Sequence, residues 1–151
     1  MKKIISLLLI YIALSFSLLS CSPSAVSTLD VITKFEREFN TGGRIYSSLI
    51  AEGEDGYISS DMREALFPEG LPQCEYSLLM YSTLGDVSEL GIFALEDGGK
   101  ALELMSVIND RLKLLSSFIE GESFIYEKGS VIAYGFFDNA EEAKKLLKSL
   151  M

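Results

Sequence analysis

The sequence predicts an α+β fold, in which one mostly antiparallel sheet of about four strands packs against helices. Two strand-like pairs of segments form expected hairpins, over residues 75–95 and 123–138. Between them, residues 100–119 carry the longest helical pattern of apolar side chains, so a long helix is expected to join the two hairpins. Shorter helical patterns precede and follow these segments, which predicts that helices cover the sheet.

The first helix is predicted over residues 29–39, with Thr28 as its N-cap. Its apolar side chains recur at helical spacing: Leu29, Ile32, Phe35 and Phe39. Residues 45–51 are ambiguous, and a second short helix is the favoured interpretation. A further short helix is expected over residues 61–67, where Asp61 and Glu64 have capping-box spacing and Pro68 ends the helix.

The first hairpin begins at residue 75, where the helical period gives way to alternation. Residues 75–83 place apolar side chains on both faces, which predicts a strand covered at least in part on both sides. Residues 87–95 follow after a turn and are predicted as its partner. In the long helix, the expected core stripe consists of Ala101, Met105, Ile108, Leu112, Leu115 and Ile119, widened by Leu102, Leu104 and Leu114.

The second hairpin is predicted from residues 123–127 and 130–138, joined by the two-residue turn Lys128-Gly129. Gly135 interrupts the second strand, which indicates either a bulge or a close packing contact. Asn139 is the expected cap of a last helix, with Glu142 at the reciprocal capping position. The order of the strands in the sheet does not follow from the pattern.

The N-terminal segment has the layout of a secretory signal. Lys2 and Lys3 precede an uncharged, mostly apolar run over residues 4–19. The run closes on Leu18-Leu19-Ser20-Cys21, which resembles the lipobox of bacterial lipoproteins. This resemblance implies cleavage between Ser20 and Cys21 and attachment of a diacylglycerol to the Cys21 thiol. The predicted organisation is a lipoprotein signal peptide over residues 1–20, the lipidated Cys with a short tether over 21–27, and a single α+β domain over 28–151.

Two other interpretations of this segment remain. A transmembrane helix needs about 20 apolar residues, and the run over residues 4–19 is shorter. The second interpretation is a plain secretory signal that a Cys follows by chance. Two acyl chains anchor a protein stably, so the lipobox predicts a cell-membrane location, lipid-anchored on the extracytoplasmic face. The six residues from 22 to 27 reach roughly 20 Å when extended, which would hold the domain close to the membrane. The type of bacterial envelope is not specified.

Charge excludes one class of partner. The chain has 13 basic and 22 acidic residues, a net charge of −9. Leaving out Lys2 and Lys3 gives 11 basic residues against 22 acidic ones in the predicted mature protein. Such an excess repels phosphate backbones, so nucleic-acid binding is not expected. No basic cluster suits anionic lipid headgroups, so the membrane is expected as a partner only through the lipid on Cys21.

The second cysteine, Cys74, has no partner within the chain once Cys21 is alkylated. The favoured interpretation is a small, half-buried apolar residue. A free thiol that forms an intermolecular bridge is the alternative.

Residues that carry familiar chemistry are missing from the sequence. There is no His, no CxxC pair, no P-loop and no Gly-x-Ser-x-Gly. The acidic segment 52–59 fails as a calcium loop, because aligning Gly56 with the loop glycine puts Ala51, Gly53 and Met62 at ligand positions. An acidic surface turn is expected instead. No catalytic residue, metal ligand or cofactor is therefore predicted.

The order of features from Thr28 to Met151 resembles a bacterial lipoprotein family catalogued as domain of unknown function four-three-five-eight. The resemblance rests on the strand over 75–83, on Glu89-Leu90-Gly91-Ile92-Phe93, on the long helix, on Lys128-Gly129-Ser130-Val131-Ile132 and on Asp138 before the final helix. It implies the fold and the location, and it transfers no active-site residue.

Together these observations predict a membrane-anchored extracytoplasmic lipoprotein that is not an enzyme. Its expected role is a binding or accessory module for an envelope protein or peptide. The alternative is a carboxylate-based hydrolase acting at the cell envelope, because acidic side chains are plentiful and composition does not exclude a two-acid mechanism.

Overall fold

A computed structural model describes residues 27–84 and 86–151. Helices and strands follow one another in the order α1 (Thr28–Phe39), β1 (Arg44–Ser47), α2 (Ser60–Leu66), β2 (Cys74–Thr83), β3 (Asp86–Leu95), α3 (Ala101–Phe118), β4 (Glu122–Lys128), β5 (Val131–Phe137) and α4 (Ala140–Leu150). A 3₁₀ turn, Gly98–Lys100, leads into α3. No helix among these residues is both long enough and apolar enough to cross a bilayer.

The five strands form one sheet in the order β1-β2-β3-β5-β4, and every neighbouring pair is antiparallel. The predicted α+β class is confirmed, with one strand more than expected. The two predicted hairpins are β2–β3 and β4–β5, and α3 joins them. The hairpins meet in the middle of the sheet, where β3 pairs with β5, for example Phe93 opposite Ile132.

The additional strand is β1, and the prediction of a short helix over residues 45–51 is wrong. Residues Arg44–Ser47 pair with Ser77–Met80 on β2. Ser47 is fully buried, and its hydroxyl accepts a hydrogen bond from Ser77 at 2.8 Å. Strand formation here depends on pairing with a segment some 30 residues away, so the local pattern of residues 45–51 does not reveal it.

Helices cover both faces of the sheet, which confirms that β2 is buried on both sides. On one face α1 and α4 pack on the sheet through a core that includes Ile32, Phe35, Leu90, Phe137 and Leu147. On the other face α2 and α3 pack through a second core that includes Phe67, Phe93, Leu104, Ile108 and Tyr134. The sheet is thus the middle of three layers and separates two apolar cores.

The N-caps of the first two helices differ from the predicted ones. Ser27 caps α1 through its hydroxyl, which accepts from the Asp30 N–H, whereas Thr28 is the first helical residue. Ser59 caps α2 in the same way, in place of Asp61. Both serines have extended backbones, which aim their oxygens at the first turn. Asn139 is the N-cap residue of α4, as predicted, but its side chain forms no capping hydrogen bond.

The start of α1 is tied to the sheet by a line of buried hydroxyl groups. Thr28 donates both its backbone N–H and its hydroxyl to Glu75 Oε1, at 2.7 and 2.8 Å. The same hydroxyl lies 2.9 Å from the Ser77 hydroxyl, which in turn donates to Ser47. Thr28 is 1% exposed, so the chain enters the domain interior at the first residue of its first helix.

Two glycines shape the second hairpin. Lys128 pairs with Val131, so the turn is Gly129-Ser130, one residue later than predicted. Gly129 has φ +61°, where a side chain would be strained. Gly135 stays in register opposite Phe124, and a Cβ there would overlap the Phe124 ring. Of the two predicted roles for Gly135, the close packing contact is confirmed.

Candidate functional site

A cavity of about 470 Å³ lies between the C-terminal half of α3 and the ends of β1, β2 and β3. Its volume is within the usual range for binding pockets. The apolar part of its wall includes Tyr46, Met62, Met80, Val87, Leu115 and Ile119. These side chains come from five different elements and from Ile119 just after α3, so the cavity is a product of the tertiary fold.

Two large apolar side chains of α3 stand at this cavity and are open to water. Leu114 is 44% exposed and Phe118 is 78% exposed, and both line the cavity. They are four residues apart, so they lie on the same side of the helix. An exposed aromatic side chain beside an apolar cavity is typical of a surface that receives a partner.

The exposure of Leu114 corrects the predicted core stripe of α3. The residues of α3 that are buried are Leu104, Val107, Ile108, Leu112 and Leu115. Leu102, also predicted to widen the stripe, is 86% exposed. It lies about 200° around the helix from Leu104. Because α3 packs against the sheet on one side only, a stripe that includes both residues is too wide for it.

Three polar side chains meet in the interior next to the cavity. Glu89 on β3 is 2% exposed, Tyr134 on β5 is fully buried, and Arg111 on α3 has 10% of its side chain exposed. Arg111 donates to both carboxylate oxygens, from Nε to Oε1 at 2.8 Å and from Nη2 to Oε2 at 2.6 Å. The Tyr134 hydroxyl donates to the same Oε1. Glu89 thus binds the long helix and the central sheet together.

Burial and charge determine the protonation of this cluster. Burial raises the pKa of Tyr134 well above its ordinary value, and the neighbouring Glu89 carboxylate raises it further. Burial by itself lowers the pKa of Arg111, but the hydrogen bonds and charge of Glu89 outweigh it, so the Arg111 pKa is raised. Tyr134 is therefore a neutral hydrogen-bond donor and Arg111 is a cation throughout the physiological range.

The chemistry available to the cavity follows from these bonds. Glu89 accepts three hydrogen bonds, so its carboxylate is engaged in holding the cluster. Arg111 also lines the cavity, and Glu89 uses only its Nε and Nη2. Three guanidinium N–H groups, two on Nη1 and one on Nη2, are not used by Glu89 and are the donors that Arg111 can offer to a ligand. The site thus combines apolar walls with one positively charged hydrogen-bond donor, which suits an apolar group that carries an oxygen acceptor.

None of the residues that line this cavity was predicted as a site residue. Ser20 and Cys21, the predicted cleavage and lipidation residues, lie outside the described residues. Cys74 is half-buried at the start of β2, as expected, and no described residue forms a disulfide with it. Burial raises the pKa of the Cys74 thiol to about 11, with a further contribution from Glu96. At neutral pH Cys74 is therefore a protonated, weakly nucleophilic thiol.

Glu89, Arg111 and Tyr134 were not predicted from the sequence, although a signal was present. Arg111 stands three residues after Ile108 and four before Leu115, at the spacing of the buried side of α3. Glu89 likewise precedes the apolar run over residues 90–95. Charged residues are almost never fully buried without a partner. Two opposite charges at core positions therefore indicate an ion pair, but the pattern does not show which residues meet.

The described residues offer no set of metal ligands. Across residues 27–84 and 86–151, no three side chains of His, Cys, Asp or Glu lie together in a way that could hold a metal ion. The acidic segment between β1 and α2 is an exposed turn over residues 52–55, as expected. The cavity beside Arg111 is thus the strongest candidate for a functional site among these residues.

Fold and site together define a class, namely a three-layered α+β domain with a largely apolar cavity beside a buried ion pair. No protein-family model matches the chain, and no curated protein or solved structure matches it either. The resemblance to domain of unknown function four-three-five-eight stays a prediction.

Proposed function

We propose that this chain is a bacterial lipoprotein, lipid-anchored through Cys21 on the extracytoplasmic face of the cell membrane. The N-terminal pattern supports this proposal: Lys2 and Lys3, an uncharged run over residues 4–19, and Ser20-Cys21 at its end. Anchoring would confine the domain to two dimensions, which raises its effective concentration near other membrane-associated molecules.

We further propose that the domain is a non-enzymatic module that binds an envelope protein or peptide in the cavity beside α3. The observation that carries this is that Phe118 and Leu114 line a largely apolar cavity and are exposed to water. The occupant is a segment of the partner that presents an apolar side chain to this wall. A backbone carbonyl of the same segment accepts from Arg111 Nη1. Burying an aromatic anchor in this way is the usual source of interface affinity.

The alternative is a carboxylate-based hydrolase. Such a mechanism needs two acids close together. Glu89 is the one carboxylate among the residues that line the cavity, and Arg111 and Tyr134 occupy both of its oxygens. The geometry therefore favours binding over hydrolysis in this cavity.

The test is affinity purification of the full-length chain from detergent-solubilised membranes, with Phe118→Asp as the variant and Leu102→Asp as its matched control. Both positions are exposed on α3, but only Phe118 lines the cavity. A specific partner is expected with the wild-type chain and with Leu102→Asp. Its recovery should fall by about tenfold with Phe118→Asp, as for the loss of an aromatic anchor.

Two results would contradict the proposal. One is that no specific partner is recovered with the wild-type chain. The other is that a partner is recovered equally with both variants, which would place its binding surface elsewhere on the domain. Circular dichroism of both variants checks that a loss of partner is not a loss of fold, which is expected because both side chains are largely solvent-exposed.

A further inference from the structure

The outer edge of β4 is long, regular and open. β4 pairs with β5 over seven consecutive residue pairs, from Glu122 opposite Phe137 to Lys128 opposite Val131, without a bulge. It is the last strand of the sheet, and no described residue pairs with its other side. An edge strand of this kind presents a row of free N–H and C=O groups that a further strand can use.

The opposite edge of the sheet is built differently. β1 has only four residues, and its Ser47 forms a bridge with Tyr57 and donates its N–H to the Gly56 carbonyl. That edge is thus short and partly covered by the chain's own loop. Short or covered edges resist further pairing, and β4 has neither protection.

The sequence of β4 is complementary to itself when a second copy runs antiparallel to it. With Ile125 opposite Ile125 of the second copy, all seven residues are paired. Glu122 then lies opposite Lys128 of the second copy, and Phe124 lies opposite Tyr126 of the second copy. Each pairing occurs twice because of the two-fold symmetry. Opposite charges and aromatic pairs across strands are both stabilising, and no other register pairs all seven residues.

We propose that β4 pairs antiparallel with β4 of a second copy of this chain about a two-fold axis at Ile125, so that two five-stranded sheets become one continuous sheet. The charged groups at the ends of β4 are accessible for this. Glu122 and Lys128 are both exposed. The Lys128 ammonium donates to the backbone carbonyl oxygen of Met151, and its remaining N–H groups are free to bind a carboxylate.

Helix α4 is compatible with this arrangement. It packs on β4 and β5, where Lys148 lies over the Tyr126 ring at 5.7 Å. Glu141 and Glu142 lie in its first turn, and Lys148 lies in its last. The two-fold axis reverses the direction of the second copy of α4, which puts the acidic start of each helix at the same end of the dimer as the basic end of the other. Closed two-fold dimers of this kind are the commonest homo-oligomers.

Disulfide cross-linking of the full-length chain in cells tests the proposal, with Cys74→Ser as the background. Ile125→Cys places two thiols directly opposite each other, at a Cα separation of about 4.5–5.5 Å that a disulfide can span. After mild oxidation, a disulfide-linked dimer is expected on non-reducing gels. Ser60→Cys is the matched control, because Ser60 is exposed at the start of α2 and lies outside the proposed β4 interface.

Charge reversal distinguishes the proposed register from accidental contact. In the Ile125→Cys chain, Lys128→Glu places like charges opposite each other twice, and the cross-linked fraction at limiting concentration should fall by about tenfold. Adding Glu122→Lys to the same chain restores opposite charges, and cross-linking should recover. The proposal is overturned if Ile125→Cys cross-links no more than Ser60→Cys does. It is also overturned if the double reversal behaves like Lys128→Glu alone.

Discussion

Gly91 lies directly opposite Tyr134 across β3 and β5, and a Cβ at Gly91 would overlap the Tyr134 ring. The Tyr134 Cζ atom would be only 2.9 Å from that Cβ. The absence of a side chain at Gly91 therefore gives Tyr134 the space in which its ring lies, and from there its hydroxyl reaches Glu89. One glycine in the middle of the sheet thus positions a member of the buried polar cluster.

Replacing Gly91 by Ala should destabilise the domain by about 1–3 kcal/mol, the usual cost of overpacking a core. The Tyr134 ring is fully buried and its hydroxyl is hydrogen-bonded to Glu89, so a shift of the ring would disturb the core or this bond. Urea unfolding followed by circular dichroism measures the change. Gly98→Ala is the control, since a Cβ there meets nothing within 4 Å, and it should leave the unfolding midpoint nearly unchanged. Equal midpoints for the two variants would contradict the packing role of Gly91.

Changing only one partner of the Glu89–Arg111 ion pair should lower the free energy of unfolding more than the pair's removal by a change at both positions. Either Arg111→Met or Glu89→Gln leaves one buried polar group without its partner, at a cost of about 3–5 kcal/mol. The double variant removes both charges, so its loss in free energy of unfolding should be clearly smaller than the sum of the two single losses. Losses that simply add would mean that the two side chains act independently.

An exposed ion pair on the same helix provides a comparison for these variants of the buried pair. Lys113 and Asp110 form an ion pair at 2.9 Å, with 75% and 55% of their side chains exposed. Exposed pairs contribute little because water and salt screen them. Lys113→Met should therefore change stability far less than Arg111→Met, although both remove a cation from α3.

The Cys74 thiol should react slowly with iodoacetamide. With a pKa of about 11, about one thiol in a thousand is ionised at pH 8, against about one in ten for an ordinary thiol. The alkylation rate at Cys74, measured by peptide mass spectrometry, should keep rising with pH beyond 10. A rate that levels off near pH 9 in the folded protein would show that burial does not protect this thiol.

The same pKa shift affects stability at alkaline pH. Since the pKa of Cys74 is raised in the folded state, the folded protein holds this proton more tightly than the unfolded chain does. The stabilisation is complete below the ordinary thiol pKa of 9.0 and is lost as the pH rises through about 11. Cys74→Ala should lack this part of the pH dependence, and the difference between the two unfolding curves isolates it from other titrating groups.

Cys21→Ser should abolish lipidation, and thereby either release the domain from the membrane or leave its precursor uncut. A serine hydroxyl does not form the thioether on which the proposed anchor depends. Fractionation and mass spectrometry of the intact chain report the outcome, with Cys74→Ser as the control that should stay in the membrane fraction. A correctly trimmed Cys21→Ser protein that remains membrane-bound would refute the anchor.

Most of the fold could be predicted because its long elements carry their own periodicity. The helices α1 and α3 and all four strands of the two hairpins were predicted to within one residue at each end. Strand β1 could not be predicted, because four residues are too few for a distinctive alternation of apolar and polar side chains. The strand forms only by pairing with β2. The strand order likewise depends on which edges meet, which no single segment encodes.

The candidate site was harder to predict than the fold. Its walls come from elements far apart in the chain, and the exposure of Leu114 and Phe118 depends on how far the sheet extends beneath α3. Apolar periodicity alone placed Leu114 in the core, because the pattern shows which side of a helix is apolar but not how wide an arc its neighbours cover. Arg111 and Glu89 could be recognised as charged residues at core positions of their elements. That they form an ion pair with each other depends on the tertiary fold.

The tie between Thr28 and Glu75 has a mechanical consequence. A force transmitted along residues 22–27 would enter the domain at Thr28, where two hydrogen bonds to a side chain of β2 resist it. The load would therefore be shared with the central sheet before α1 could unwind turn by turn from its end. If the membrane holds the chain through Cys21, as proposed, this junction lets the domain withstand pulling without fraying at the start of α1.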